Sequence, residues 1–275
     1  ADRLAGRFAD LARGAEFRFG VYRGAGKNFR LSVSDLRRGI DWKSSGRDTA
    51  GNGAAMRIAP VAAYYYNNPD LMADASVRAS LITHRNPVGI SAAVAVAYVV
   101  MRSISMESLE PPGRAGFLAE AARFCREQED MLHERYGVHL VGEFEERLHL
   151  FSDAVGGLSE RIEQEPEKVK EWIAENADPH AGNRITRPSL GFALSSVVYA
   201  IYLAVANSGS FERTVIEAIN SGGDTDTVGA MAGAMAGALH GAGEIPERWL
   251  AGLANRKQIK FRCEALAEKK WMKSR

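Results

Sequence analysis

From Ser189 to Ser210 the chain runs for 22 residues without a charge, SLGFALSSVVYAIYLAVANSGS. Few environments accept such a run. One is a bilayer, where a spanning helix needs about 20 predominantly apolar residues. The other is the middle of a helical protein, where a helix that is apolar all round is covered on every side. Several serines, two tyrosines and an asparagine interrupt this run, and no tryptophan anchors flank it. It therefore reads as a buried central helix. Residues 91–101, SAAVAVAYVVM, are also apolar all round and ask for the same surroundings.

The rest of the chain supplies a shell for those helices. Apolar periodicity and Pro or Gly breaks mark helices near 2–13, 53–66, 70–83, 87–105, 113–135, 143–163, 166–176, 189–207, 211–220, 226–241, 246–254 and 256–271. Strand-like alternation is scarce. The expectation is an all-α fold, a single compact multi-helix domain over residues 1–275. Residues 14–52, rich in Gly, Arg and Ser, are the least regular part, with one short helix near 32–39.

Charge and cysteine usage narrow the function. A net charge of +1 gives no basic surface for nucleic acid. Two distant cysteines, Cys125 and Cys263, form neither a disulfide framework nor a zinc signature, which points to the cytoplasm. The opening ADRLAGRFADL has charges where a secretory leader has an apolar core. REQED (126–130), EFEER (143–147) and EQEPEK (163–168) read as solvated faces. His133, His139 and His149 lack metal-ligand spacing.

Chemistry concentrates in SGGDTDTVGAMAGAMAGALHG, residues 221–241. Asp224 and Asp226 stand two apart, with Thr227 next. Converging carboxylates repel unless a cation lies between them. Carboxylate and hydroxyl oxygens are hard donors that suit Mg²⁺, Mn²⁺ or Ca²⁺. From spacing alone a plain helix cap is the simpler reading, since Asp and Thr are favoured N-caps. Gly229, Gly233, Gly237 and Gly241 then fall close to one helical face, which suggests that another backbone packs very close there, although close helix packing alone explains them.

A second loop, SGRDTAGNGAAMR (45–57), places Gly51 and Gly53 around Asn52 before a helix. Its backbone N–H groups suit an anion such as phosphate, and Arg57 could add a charged contact. A flexible turn with a cap explains the same residues. His84, in LITHRNP, sits where a helix-end histidine is favoured by the dipole.

GNGAAMRIAP (51–60), LITHRNP (81–87) and GGDTDTVGAMAGAMAGALHG (222–241) together resemble successive motifs of the ADP-ribosylglycohydrolase family, over about residues 1–255. The resemblance implies an all-α fold with two Mg²⁺ or Mn²⁺ ions in a cleft. It implies a metal-dependent hydrolase that removes ADP-ribose from a modified protein side chain or small acceptor. Asp224, Asp226 and Thr227 would then be metal ligands, with Asp224 and Asp226 carrying the catalytic role. Thr49, Gly51, Asn52 and Gly53 would hold phosphates and ribose, and His84 would line the pocket. The partners would be ADP-ribosylated proteins or small ADP-ribose conjugates, with no nucleic acid and no membrane.

One departure matters. The family has a second metal motif, T-D-D-T-like, and no Asp-Asp pair occurs in this chain. The expectation is a domain incomplete at its N-terminus, with that motif upstream of residue 1. Two other readings stay open: a crystallin-like or ADP-ribose-binding member with a degenerate metal site, and a hydrolase of a different nucleotide or glycoside.

Overall fold

The structure is a computed structural model and describes residues 1–15, 24–142 and 148–271. Among these residues there is no strand, only isolated bridges pairing Arg47 with His84 and Gly51 with Phe192. Everything else is helix and connecting loop, as the periodicity requires.

The centre is helix Pro87–Ile104, buried along nearly its whole length. Asn86 starts it: its side chain accepts from the Val88 N–H at 3.1 Å, and Pro87 occupies the first helical position, where no N–H is needed. The same device, Asn68 before Pro69, starts helix Pro69–Leu81. Helices Pro69–Leu81, Ala193–Ala206 and Thr225–His240 pack on the central helix, and Arg114–Tyr136 with Leu150–Ser159 closes another side. Phe151, Leu118, Leu158, Ile201 and Leu203 fill the space between them, each fully buried.

The uncharged run that opened the sequence is only partly helical. Its helix is Ala193–Ala206, 14 residues, on the order of 21 Å long and too short to cross a bilayer. The helix that is long and apolar enough to span is Pro87–Ile104, and 89% of that window is buried inside the protein. Residues 189–192 instead form the connection that faces the acidic loop.

Several boundaries differ from the sequence reading. The helix expected over 53–66 breaks into a 3-10 turn, Ala55–Arg57, and helix Ala59–Tyr64, because Pro60 enters a new first turn. The short helix expected near 32–39 runs Lys27–Arg37. The helix expected over 143–163 is seen as Leu150–Ser159, and EFEER lies outside the described residues. Helix Thr225–His240 is buried on one side only. Its glycine face meets side chains rather than a backbone. A Cβ at Gly229, Gly233 or Gly237 would lie 3.2, 3.5 and 3.6 Å from Ile219, Val215 and Phe211 of helix Phe211–Asn220. These three partners also recur every fourth residue, so a ridge of large side chains fits a groove of glycines.

REQED is not uniformly a solvated face. Glu129 is 4% exposed, and its Oε2 has no partner among the described residues. Oε1 accepts from the Ser152 N–H at 3.4 Å, in the first turn of helix Leu150–Ser159. Its neighbour Asp130 does face outward and takes His149 Nε2 at 2.7 Å.

Candidate active site

Two loops meet where the central helix begins. Residues 46–53 run across its first turn. The Arg47 N–H donates to the Thr83 carbonyl at 3.1 Å and the Arg85 N–H to the Arg47 carbonyl at 2.8 Å, which fixes the loop beside His84. The close approach needs Gly89. A Cβ there would stand 2.9 Å from the Thr49 carbonyl oxygen, 3.2 Å from His84 Cδ2 and 3.3 Å from the Gly51 carbonyl oxygen. On the other side, the Ala193 N–H donates to the Ala50 carbonyl at 2.8 Å.

The His84 ring is thereby enclosed between Gly89 and the glycines of the loop. A Cβ on Gly53 would be 3.3 Å from His84 Cε1. Nδ1 shares a 2.8 Å hydrogen bond with Thr83 Oγ1, which also accepts from Arg57 Nη2 at 2.6 Å. Burial, reinforced by the Arg57 charge, pushes the imidazole down to about 3, so the ring is neutral at physiological pH. Arg57, half-buried, is itself brought down to about 10 by desolvation. Its other arm donates to the Gly53 carbonyl, and its guanidinium lies over the Phe8 ring. The sequence suggested Arg57 as an anion contact; much of its hydrogen-bonding capacity instead goes to bracing the loop.

The acidic loop closes the site. Asp224 occupies the N-cap position of helix Thr225–His240 without making a side-chain cap bond. Its Oδ2 accepts from Asn52 Nδ2 at 2.7 Å, and the same amide donates to Ser196 Oγ at 3.0 Å. Asp224 is therefore not acting as a plain cap: its carboxylate is turned across the cleft to the glycine-rich loop. Asp226, in the first turn, is exposed and accepts from the Thr227 N–H at 3.0 Å. The Thr227 hydroxyl is buried beside the Met56 sulfur, 3.8 Å away.

A cavity of about 660 Å³ is lined by Thr49, Gly51, Asn52, Gly53, His84 and Thr227. Phe8 and Phe29, edge to face at 5.2 Å, line the same cavity. Thr49 and Gly51 also line a second, polar cavity of about 580 Å³ with Asp48, Asn86 and Arg184. Asp224 and Asp226 do not line either cavity; Asp224 reaches the first through Asn52. Sequence reasoning missed Gly89, Ser196 and the two phenylalanines. The Gly89 signal was present, a glycine inside the first turn of an otherwise bulky helix, but its meaning depends on a loop 40 residues upstream.

The comparison with known proteins decides the family. The ADP-ribosylglycohydrolase family model matches residues 1–274. The chain belongs to the ADP-ribosylglycohydrolase family. Among its relatives, an uncharacterized protein of Archaeoglobus fulgidus is 29% identical over 243 residues, 88% of this chain and 66% of that protein. ADP-ribosylhydrolase ARH3 of Bos taurus is 30% identical over 215 residues, 74% of this chain and 54% of that protein. The human ARH3 is 29% identical over the same shares. The chain thus spans between half and two thirds of the length of these relatives. A solved structure, an ADP-ribosylglycohydrolase-related protein complex, superposes with a TM-score of 0.61 at 25% identity, covering 100% of this chain and 78% of the other.

Proposed function

We infer that the protein is a metal-dependent hydrolase that releases ADP-ribose from a modified protein side chain or a small acceptor. One observation carries this reading. Asp224 holds the N-cap position but turns its carboxylate to Asn52 instead of capping the helix, while Asn52 lines a cavity with Thr49, Gly51, Gly53, His84 and Thr227. The family membership and the ARH3 relatives support the same chemistry.

The donor set fits a hard divalent cation. Asp224 keeps Oδ1 free of protein partners among the described residues, Asp226 faces solvent, and Thr227 adds a hydroxyl. Among the described residues no third His, Cys, Asp or Glu joins them in a cluster. These three residues would hold two Mg²⁺ or Mn²⁺ ions from one side, with the remaining positions filled by other oxygens. Bound there, the ions would orient ribose hydroxyls and make a water nucleophilic.

The chain's own groups do the rest. The glycine-rich loop around Gly51 and Gly53 would take the phosphates, with the Gly51 N–H held by Thr49 Oγ1 at 3.3 Å. Neutral His84 offers a hydrogen bond to ribose without adding charge. Phe8, Phe29 and Met56 give the cavity an apolar lining.

The test is release of ADP-ribose from ADP-ribosyl-arginine and ADP-ribosyl-serine conjugates with Mg²⁺ or Mn²⁺ present. Release that stops on chelation and in Asp226→Asn is expected. No release from any conjugate, with ADP-ribose still bound, favours a binding member of the family.

A further inference from the structure

The loop that carries Asp224 is read, residue by residue, by the segment just before helix Ala193–Ala206. Arg187 lies on Gly222: a Cβ there would collide with its guanidinium. Ser189 lies on Gly223, where a Cβ would stand 2.8 Å from the Ser189 carbonyl oxygen and 2.9 Å from its Oγ. That same carbonyl accepts from the Asp224 N–H at 2.9 Å, and Ser189 Oγ donates to the Ser221 carbonyl at 3.3 Å. Gly191 lies on the Asp224 side chain, where a Cβ would be 3.3 Å from Oδ2. Alternate residues of 187–191 thus meet successive residues of 222–224. Gly222 and Gly223 have φ of 70° and 71°, a conformation that favours glycine, so the loop can follow the segment closely.

We propose that Arg187 and Ser189 are positioning residues: with Gly191 they form a template that sets the Asp224 carboxylate against Asn52 before any ligand arrives. This rests on the reading of Asp224 as a metal ligand. Ser189 is fully buried and fixes the backbone. Arg187 is exposed, and the placement of its guanidinium over Gly222 is its contact with the loop. Residues that orient a ligand in this way typically change metal affinity about 10- to 100-fold when altered.

Arg187 gives the test a sign. A guanidinium near a cation site repels the cation, so loss of its charge alone tightens Mn²⁺ binding in Arg187→Ala. Loss of a positioning contact weakens it. Gly191→Ala moves the carboxylate without any change of charge. Mn²⁺ affinity by calorimetry is expected to fall about 10-fold in both variants. Amide exchange at Asp224 in metal-free protein is expected to quicken about 10-fold in Arg187→Ala, because a local opening becomes easier. Tighter Mn²⁺ binding, or unaltered exchange at Asp224, in Arg187→Ala overturns the template. If the wild type binds no Mn²⁺ while exchange quickens in the variant, the template stands and the metal reading falls.

Discussion

At the scale of single residues, two buried titratable groups make opposite demands. Burial and Arg57 push His84 from 6.5 down to about 3. The unfolded chain takes up this proton as pH falls through 6.5, and the folded chain refuses it until about 3. Stability from His84 is therefore present at neutral pH and is lost as the medium is acidified. The His84 ring resonances are expected to stay fixed between about pH 5 and pH 8, where a free histidine titrates. A midpoint near 6.5 would contradict the enclosed ring. Glu129 behaves the other way. Burial raises its carboxyl above the ordinary 4.5, against the pull of Ser152, His149 and Ser91. Its protonated form stabilises the fold fully below 4.5, and that contribution is lost as pH rises through the raised value. Glu129→Gln should gain melting temperature relative to wild type as pH is raised from acid to neutral; a constant difference would show that Glu129 does not titrate abnormally. In the sequence Glu129 looks like its charged neighbours, since only the packing of three helices tells it apart. Asp224 was more legible: its motif marked it, but that its side chain turns to Asn52 instead of capping the helix was not visible, because Asn52 is distant in sequence.

At the scale of elements, the pairing of helices Phe211–Asn220 and Thr225–His240 explains the glycine repeat. The four-residue spacing was visible in the sequence, and so was the demand for close packing. What packs there was not, because Phe211, Val215 and Ile219 read equally well as one apolar face of a separate helix. The glycines differ in room. At Gly237 a Cβ would lie 3.6 Å from Phe211, an ordinary contact. Gly237→Ala should therefore stabilise the protein by about 0.5–1 kcal/mol through helix propensity, read as a higher melting temperature. At Gly229 the spacing of 3.2 Å to Ile219 is tighter, and a leucine there should lower the melting temperature by prying the two helices apart. Equal stability of the Gly229→Leu variant and wild type would mean that the groove is not a packing surface. The helices themselves were legible to within a few residues where Asn-Pro or Ser caps mark their starts. The breaks at Pro60 and at residues 189–192 were not, because both lie inside stretches rich enough in apolar residues to read as one continuous helix.

At the scale of the whole molecule, the uncharged helices form the core and the glycine-bearing loops form the site above one end of it. The apolar runs made the all-α core readable from composition and period alone. The cleft was readable only as separate motifs, since nothing in one sequence states that residues 49–53, 84, 224 and 227 meet. Their meeting is what the proposed activity requires: phosphates on the glycine loop, ribose beside neutral His84, cations on the acidic loop. The core supports it at a distance. Phe151→Ala, at a fully buried position, should cost about 3–5 kcal/mol of stability while leaving ligand affinity of the folded fraction unchanged. The most direct measurement is calorimetric titration of the protein with ADP-ribose in the presence of Mg²⁺, for wild type and Asp224→Asn. Saturable one-to-one binding in wild type, weakened at least about 10-fold in the variant, is predicted. Equal affinity in the two proteins, or no binding by wild type, would contradict a site built on Asp224, Asn52 and His84.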